Sequence, residues 1–214
     1  MAFAAKQKVE ITPPNLQIVR FKIIGTAPLV MNKFSSRVLE GMAQKQAEGS
    51  SAQKKSKREA KDFDLCVKEA THYSNEGWEG LPASAFRAGL ISTCRLLKFP
   101  MTLAKLSIFV VADGYERDKF GTIPLVKITK GKPKRTDFAV RNETGVADIR
   151  PRPMWDEGWE ARVTIRFDAD QFTVADVTNL LMRMGMQVGI GAGRPDSKDS
   201  TGMGWGTFSV EAAK

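Results

Sequence analysis

Hydrophobic and polar positions alternate over residues 16–24, LQIVRFKII. Val19, Phe21 and Ile23 fall on one side, and Arg20 and Lys22 fall on the other with Ile18 and Ile24. A period of two predicts a strand with one buried face and one partly basic face, ended by Gly25 and Pro28. The pattern returns at 160–168, EARVTIRFD, with Ala161, Val163, Ile165 and Phe167 inward and Arg162, Thr164 and Arg166 outward. Residues 36–48 and 60–73 read as helices. A third helix is predicted over 83–97, where Pro82 suits the first turn and Phe86, Leu90, Cys94 and Leu97 recur at helical spacing. Thr173 with Asp176 resembles a capping box, and Val177, Leu180, Leu181 and Met184 follow it as an apolar helical stripe. Met182, Met184 and Met186 are expected to pack in the core. Residues 101–112, MTLAKLSIFVVA, are apolar on both faces and predict a central strand. A last strand is predicted over 203–210.

The order is therefore strand, helix, strand, then strand, helix, strand. This is the split β-α-β-β-α-β pattern of an α+β, ferredoxin-like (RRM-like) fold. Residues 1–214 read as a single domain carrying two large insertions. The first, 32–80, holds helices and a basic loop. The second, 113–157, is rich in Gly, Pro and charge, and a stretch of that length is expected to form a hairpin with a function of its own.

Composition narrows the partners. Lys plus Arg number 33 against 24 Asp plus Glu, a net charge of +9 that points to a polyanion such as nucleic acid or an anionic membrane surface. No apolar run approaches the roughly 18 residues needed to span a bilayer. The start, MAFAAKQKVE, lacks the apolar stretch of a signal peptide, so a cytoplasmic protein is expected. Cys66 and Cys94 are too far apart for a metal knuckle and read as buried free thiols. With one histidine, His72, no zinc or other metal site is expected, and no cofactor.

The positive charge is clustered. GSSAQKKSKRE carries Lys54, Lys55, Lys57 and Arg58 without a large apolar residue and reads as a surface loop. KITKGKPKRTDFAVR carries Lys127, Lys130, Lys132, Lys134, Arg135 and Arg141 against one acid, Asp137. Phe138 and Trp155 add aromatic faces, a pairing suited to single strands, whose phosphates meet cations while bases stack on rings.

Near the chain's end, VGIGAGRPDSKDSTGMGWGTF holds six glycines in two triplets: Gly189, Gly191 and Gly193, then Gly202, Gly204 and Gly206. A dinucleotide fingerprint needs a strand before it and a helix after it, and here that order is reversed. No G-K-[ST] of a P-loop occurs. Two readings stay open. Glycines permit left-handed conformations whose amides form a concave anion site, with Arg194 and Lys198 beside it to hold a phosphodiester backbone. Alternatively, the glycines make a corner that lets the last strand pack against the helix.

A helix followed by hydrophobic-G-x-G-x-x-R, then G-x-G and a closing strand, resembles the glycine-rich loop of the RAMP superfamily, the repeat-associated RNA-binding proteins of CRISPR systems. GLPASAFRAGLISTCR, residues 80–95, looks like the first-helix motif of Cas7-type members with its arginine, here Arg87, and the opening strand ending IIGTAPLV looks like the family's start. The resemblance implies a ferredoxin-like palm holding a guide RNA backbone, with 113–157 as a thumb. It also implies copies of the chain along a filament, with other CRISPR or phage proteins as partners. It thus implies a non-catalytic binder of RNA or single-stranded DNA. The insertions carry no recognisable family signature, and the chain is small for a CRISPR backbone subunit. The alternatives are a phage or mobile-element assembly protein, a single-stranded-DNA-binding recombination protein, or a Cas6-like endoribonuclease. For the last, His72 with Tyr73 beside it is the only general base of that type.

Overall fold

The computed structural model describes residues 12–49, 60–141, 145–197 and 202–212; Lys54, Lys55, Lys57, Arg58 and Lys198 lie outside these ranges. Ten strands and five helices follow one another in chain order among the described residues. They are β1 (Leu16–Gly25), β2 (Leu29–Val30), α1 (Ser36–Glu48), α2 (Phe63–Glu69), β3 (Gly80–Pro82), α3 (Ala83–Leu96), α4 (Met101–Ser107), β4 (Ile108–Val111), β5 (Gly114–Asp118), β6 (Gly121–Lys130), β7 (Lys134–Arg141), β8 (Ala147–Trp155), β9 (Glu160–Asp168), α5 (Val174–Arg183) and β10 (Phe208–Ala212).

The alternation in β1 and β9 is realised residue by residue. Phe21, Ile23, Ala161, Val163, Ile165 and Phe167 are buried, while Arg20, Arg162 and Arg166 are exposed. The two strands pair antiparallel, Leu16 opposite Asp168 through Ile24 opposite Glu160. β10 pairs antiparallel with the other edge of β1. The outer edge of β9 is shared: β4 takes Thr164–Phe167, and β6 meets Ala161 and Glu160. β6 also pairs with β3 and β5, giving a seven-stranded, antiparallel sheet. β2, β8 and β7 form a second, three-stranded sheet.

α3 and α5 cover the same face of the large sheet. Phe86, Leu90 and Cys94 of α3 join Val177, Leu180 and Leu181 of α5 in the core, each large apolar side chain stabilising the fold by about 1.5–3 kcal/mol when fully buried. The cap of α5 is the reciprocal box expected, Asp176 N donating to Thr173 Oγ1 at 3.1 Å and Thr173 N to Asp176 Oδ2 at 2.9 Å. The same core reaches under the second sheet through Leu29, Met31 and Trp155, and Val126, Ile128 and Trp155 seat the second insertion on it.

Four expectations are corrected. Residues 101–112 are a short helix and then an edge strand, because Ala104, Ser107 and Ile108 are the buried positions and Leu106 is exposed. That spacing is helical, and Met, Leu, Ala and Lys are good helix formers. The helix expected over 60–73 spans only Phe63–Glu69, where Thr71 Oγ1 donates to the Val67 carbonyl and the chain turns to bridge Tyr73 with Glu79. The last strand begins at Phe208, not 203, because the residues before it are held in the glycine loop. Of the three methionines, only Met184 is buried; Met182 and Met186 face outward.

Candidate nucleic-acid interface

The face of the large sheet opposite the helices carries the outward residues of β1, β9 and β4. Register places Arg20 opposite Thr164, Lys22 opposite Arg162, and Ile18 opposite Arg166. Arg20 is therefore the diagonal neighbour of both Arg162 and Arg166, roughly 7–8 Å away. None of these three arginines has an ion-pair partner among the described residues. Lys22 differs, lying 3.3 Å from Glu160 and 3.7 Å from Glu211. Glu160 also takes Lys130; burial opposes its ionisation, but the two lysines hold it below the usual carboxylate range.

β4 adds Phe109, directly opposite Arg166. The Arg166 guanidinium sits 5.5 Å from the ring centre and Arg87 sits 5.0 Å from it. Arg87 comes from α3 and donates from Nε to the Ile108 carbonyl at 3.1 Å and from Nη2 to the Lys105 carbonyl. One aromatic ring thus stands between two cations on an uncovered sheet, a contact worth about 0.5–1 kcal/mol per cation at exposed sites. The sequence pattern missed Phe109 because its strand reads as buried on both faces; only the edge position of β4 leaves it accessible.

The glycine loop leaves α5 through a π-helical turn, Met184–Val188, closed by Gly189 N donating to the Met184 carbonyl at 2.8 Å. All six glycines have positive φ, from +67° at Gly206 to +81° at Gly191. A side chain at Gly206 would place its Cβ 1.7 Å from the Ile190 carbonyl oxygen, and one at Gly191 would sit 2.5 Å from the Val30 oxygen. The two triplets clasp each other: Ile190 N donates to the Gly206 carbonyl at 2.9 Å and Met203 N to the Gly193 carbonyl at 2.7 Å. Gly206 N bonds the Pro28 carbonyl and Ala192 N bonds the Val30 carbonyl, tying the loop to β2 and the residue just before it.

The amides of Gly189, Ile190, Ala192, Met203, Trp205 and Gly206 all donate to backbone carbonyls, which favours the corner reading of the loop over a concave anion site at Gly189, Gly191, Gly193, Gly202 and Gly204. Arg194 folds back as well, Nη1 donating to the Gly191 carbonyl at 3.2 Å. Asp196 anchors the loop to α3 by accepting from Ser92 Oγ at 2.5 Å and Arg95 Nη2 at 3.2 Å.

The basic hairpin of β7 and β8 is largely self-neutralised. Lys134 pairs with Asp156, and Arg135 with Asp137 at 2.8 Å and Asp64 at 3.2 Å. Arg135 also lies over the Phe63 ring, and its carboxylate partners, Asp137 foremost, raise its pKa. Arg141 Nη1 donates to the Gly145 carbonyl, while Lys132 is exposed. Phe138 packs on Trp205 of the glycine loop, ring centres 5.0 Å apart. Trp155 is fully buried against β2 and offers no stacking face, which corrects its expected role. Its ring completes the core between the two sheets.

His72 is 8% exposed and lies in the first insertion, its Nδ1 2.6 Å from Glu116 Oε2, with Lys33 Nζ 2.5 Å from the other carboxylate oxygen. Tyr73 turns away into its bridge with Glu79. Among the described residues no cluster of three or more His, Cys, Asp or Glu is arranged to hold a metal, and no helix is long and apolar enough to cross a membrane. Cys94 is buried, which pushes its thiol pKa up, and Cys66 is half-buried. No protein-family model matches the chain, and no curated protein sequence matches it.

Proposed function

We propose that the chain binds a single strand of nucleic acid on the open face of its large sheet. The observation that carries this reading is the row Arg20, Arg162 and Arg166, with Phe109 beside Arg166: cations without carboxylate partners among the described residues, next to a partly exposed ring. Phosphates meet such cations and bases stack on such rings without regard to sequence. The strand order β10-β1-β9-β4, with α3 and α5 on the opposite face, supports a ferredoxin-like core. That order and the clasped glycine loop support the likeness to Cas7-type RAMP subunits, in which copies follow one another along RNA. The loop's part in this reading is to fix the ends of β1 and β10 against α3, not to hold phosphates through its amides.

The test is to purify the protein without nuclease, extract any bound nucleic acid, and titrate single-stranded RNA and DNA against salt. Binding with a salt slope of about −0.7 per phosphate contacted supports the reading. A protein that ignores both strands at low salt overturns it.

A second reading, assembly without nucleic acid, draws on α1. That helix exposes Val38 and Met42 from the first insertion. A groove of about 750 Å³ between the end of α3 and α5 exposes Leu97, Met182 and Met186. Apolar arms and grooves of this kind are how repeated subunits engage one another. Concentration-dependent assembly of nucleic-acid-free protein favours this second reading.

A further inference from the structure

A second cleft, of about 340 Å³, opens between the first insertion and the β5–β6 turn. Its floor is His72 and its rim carries the rings of Phe34, 64% exposed, and Phe120, 44% exposed. Beneath the floor, Glu116 is 7% exposed and accepts from both Lys33 and His72. Burial alone would raise the Glu116 pKa, but these two hydrogen bonds hold it below the usual range, so the carboxylate is ionised.

An ionised carboxylate only accepts hydrogen bonds, so His72 Nδ1 must carry the proton and donate. That hydrogen bond holds the ring in one orientation and leaves Nε2 as its remaining hydrogen-bonding atom. Its backbone is held too, His72 N donating to Met31 Sδ at 3.0 Å and the His72 carbonyl accepting from Gly80 N at 3.1 Å. Nε2 has no partner among the described residues. Asn32 on the same cleft offers an amide donor and acceptor.

We propose that this cleft receives one unpaired nucleobase, flanked by Phe34 and Phe120 and hydrogen-bonded by His72 Nε2 and Asn32. The chemistry selects that ligand class. A bare anion is a poor match, because the Lys33 ammonium is already neutralised by Glu116. An aliphatic group leaves the oriented imidazole without a partner, whereas a planar heterocycle satisfies both rings and polar atoms. This inference rests on the strand-binding reading and deepens it. Phe34 lies four residues beyond Val30, the residue that bridges to Ala192 of the glycine loop, so cleft and loop are at most about 14 Å apart along the chain.

His72 is the only histidine of the chain, so its imidazole gives a single, assignable proton signal by NMR. The full-length protein is titrated separately with AMP, GMP, CMP and UMP, and with inorganic phosphate. At least one nucleotide is expected to shift the signal, and phosphate to leave it in place. Phe34→Ala and Phe120→Ala, both at exposed positions that leave the fold intact, are expected to weaken the response on the order of ten-fold. An unmoved signal at millimolar nucleotide, or an equal shift with phosphate, overturns the cleft. Strand binding measured on the same samples separates the two claims. Protein that binds single strands with an unmoved histidine loses only the cleft. Protein that answers to nucleotides but ignores strands loses only the sheet.

Discussion

The open sheet face and the glycine loop begin from similar sequence material, arginines among small or apolar residues, and reach opposite outcomes. On the sheet, Arg20, Arg162 and Arg166 are held outward by the strand's two-residue period and have no carboxylate partner among the described residues. In the loop, positive-φ glycines turn the backbone on itself, and Arg194 bonds a carbonyl three residues back. Charge counts alike in both places; accessibility does not. A strand cannot fold its outward side chains inward without losing its register, whereas a glycine loop is free to satisfy its own polar groups first.

The sharpest way to break this comparison is at Gly206. Gly206→Ala drives a Cβ into the Ile190 carbonyl and is expected to destabilise the protein by about 3 kcal/mol or more. Gly204→Ala, with open space around it, is expected to cost only the strain of its positive φ, about 1 kcal/mol. Equal midpoints for the two in denaturant titration would end the clasp account. Next in size, Arg20→Glu with Arg166→Glu should weaken single-strand binding on the order of a hundred-fold and reduce the salt slope by about 1.4, without changing the melting temperature.

Acid affects stability through carboxylates whose folded pKa values are depressed: Glu116, Glu160, Asp137 and Asp176. A lowered folded pKa means stability present above the ordinary carboxylate value and lost as pH falls through the folded one. The melting temperature is therefore expected to hold from neutral pH down to about pH 4 and fall below it. In Glu116→Gln that acid-dependent fall is expected to be smaller. A smaller effect tests the two lysines of the sheet that Glu160 holds. Glu160→Gln releases Lys130, leaves Lys22 with Glu211 alone, and should strengthen strand binding about three-fold at low salt. Smallest of all, Arg194→Ala should change affinity by no more than about two-fold. A loss as large as that of the sheet pair would restore the loop as a phosphate grip.

Much of the scaffold was legible because it rests on local rules. Alternation marked both central strands, Thr173 and Asp176 marked the start of α5, and every glycine of the two triplets takes the left-handed backbone that only glycine adopts readily. Other features were hidden for lack of a local signal. Met101–Ser107 is apolar enough for either a strand or a helix, and only the burial of Ala104 and Ser107 distinguishes them. Trp155 sits among basic residues in sequence but faces the core because β8 pairs with β2. Arg135 is matched by Asp64, 71 positions away, and His72 by Glu116, 44 positions away.

What the sequence determined by itself is the two central strands β1 and β9 with their inward faces, the start of α5, and the places where only glycine is tolerated. All of these follow from sterics and from periodicity within a few residues. What only the tertiary structure decided is which charges remain available. A lysine or arginine becomes a binding group or half of an internal ion pair according to whether a distant acid is brought within about 4 Å of it. That distance is set by strand register and by the packing of the two insertions, and no local pattern contains it.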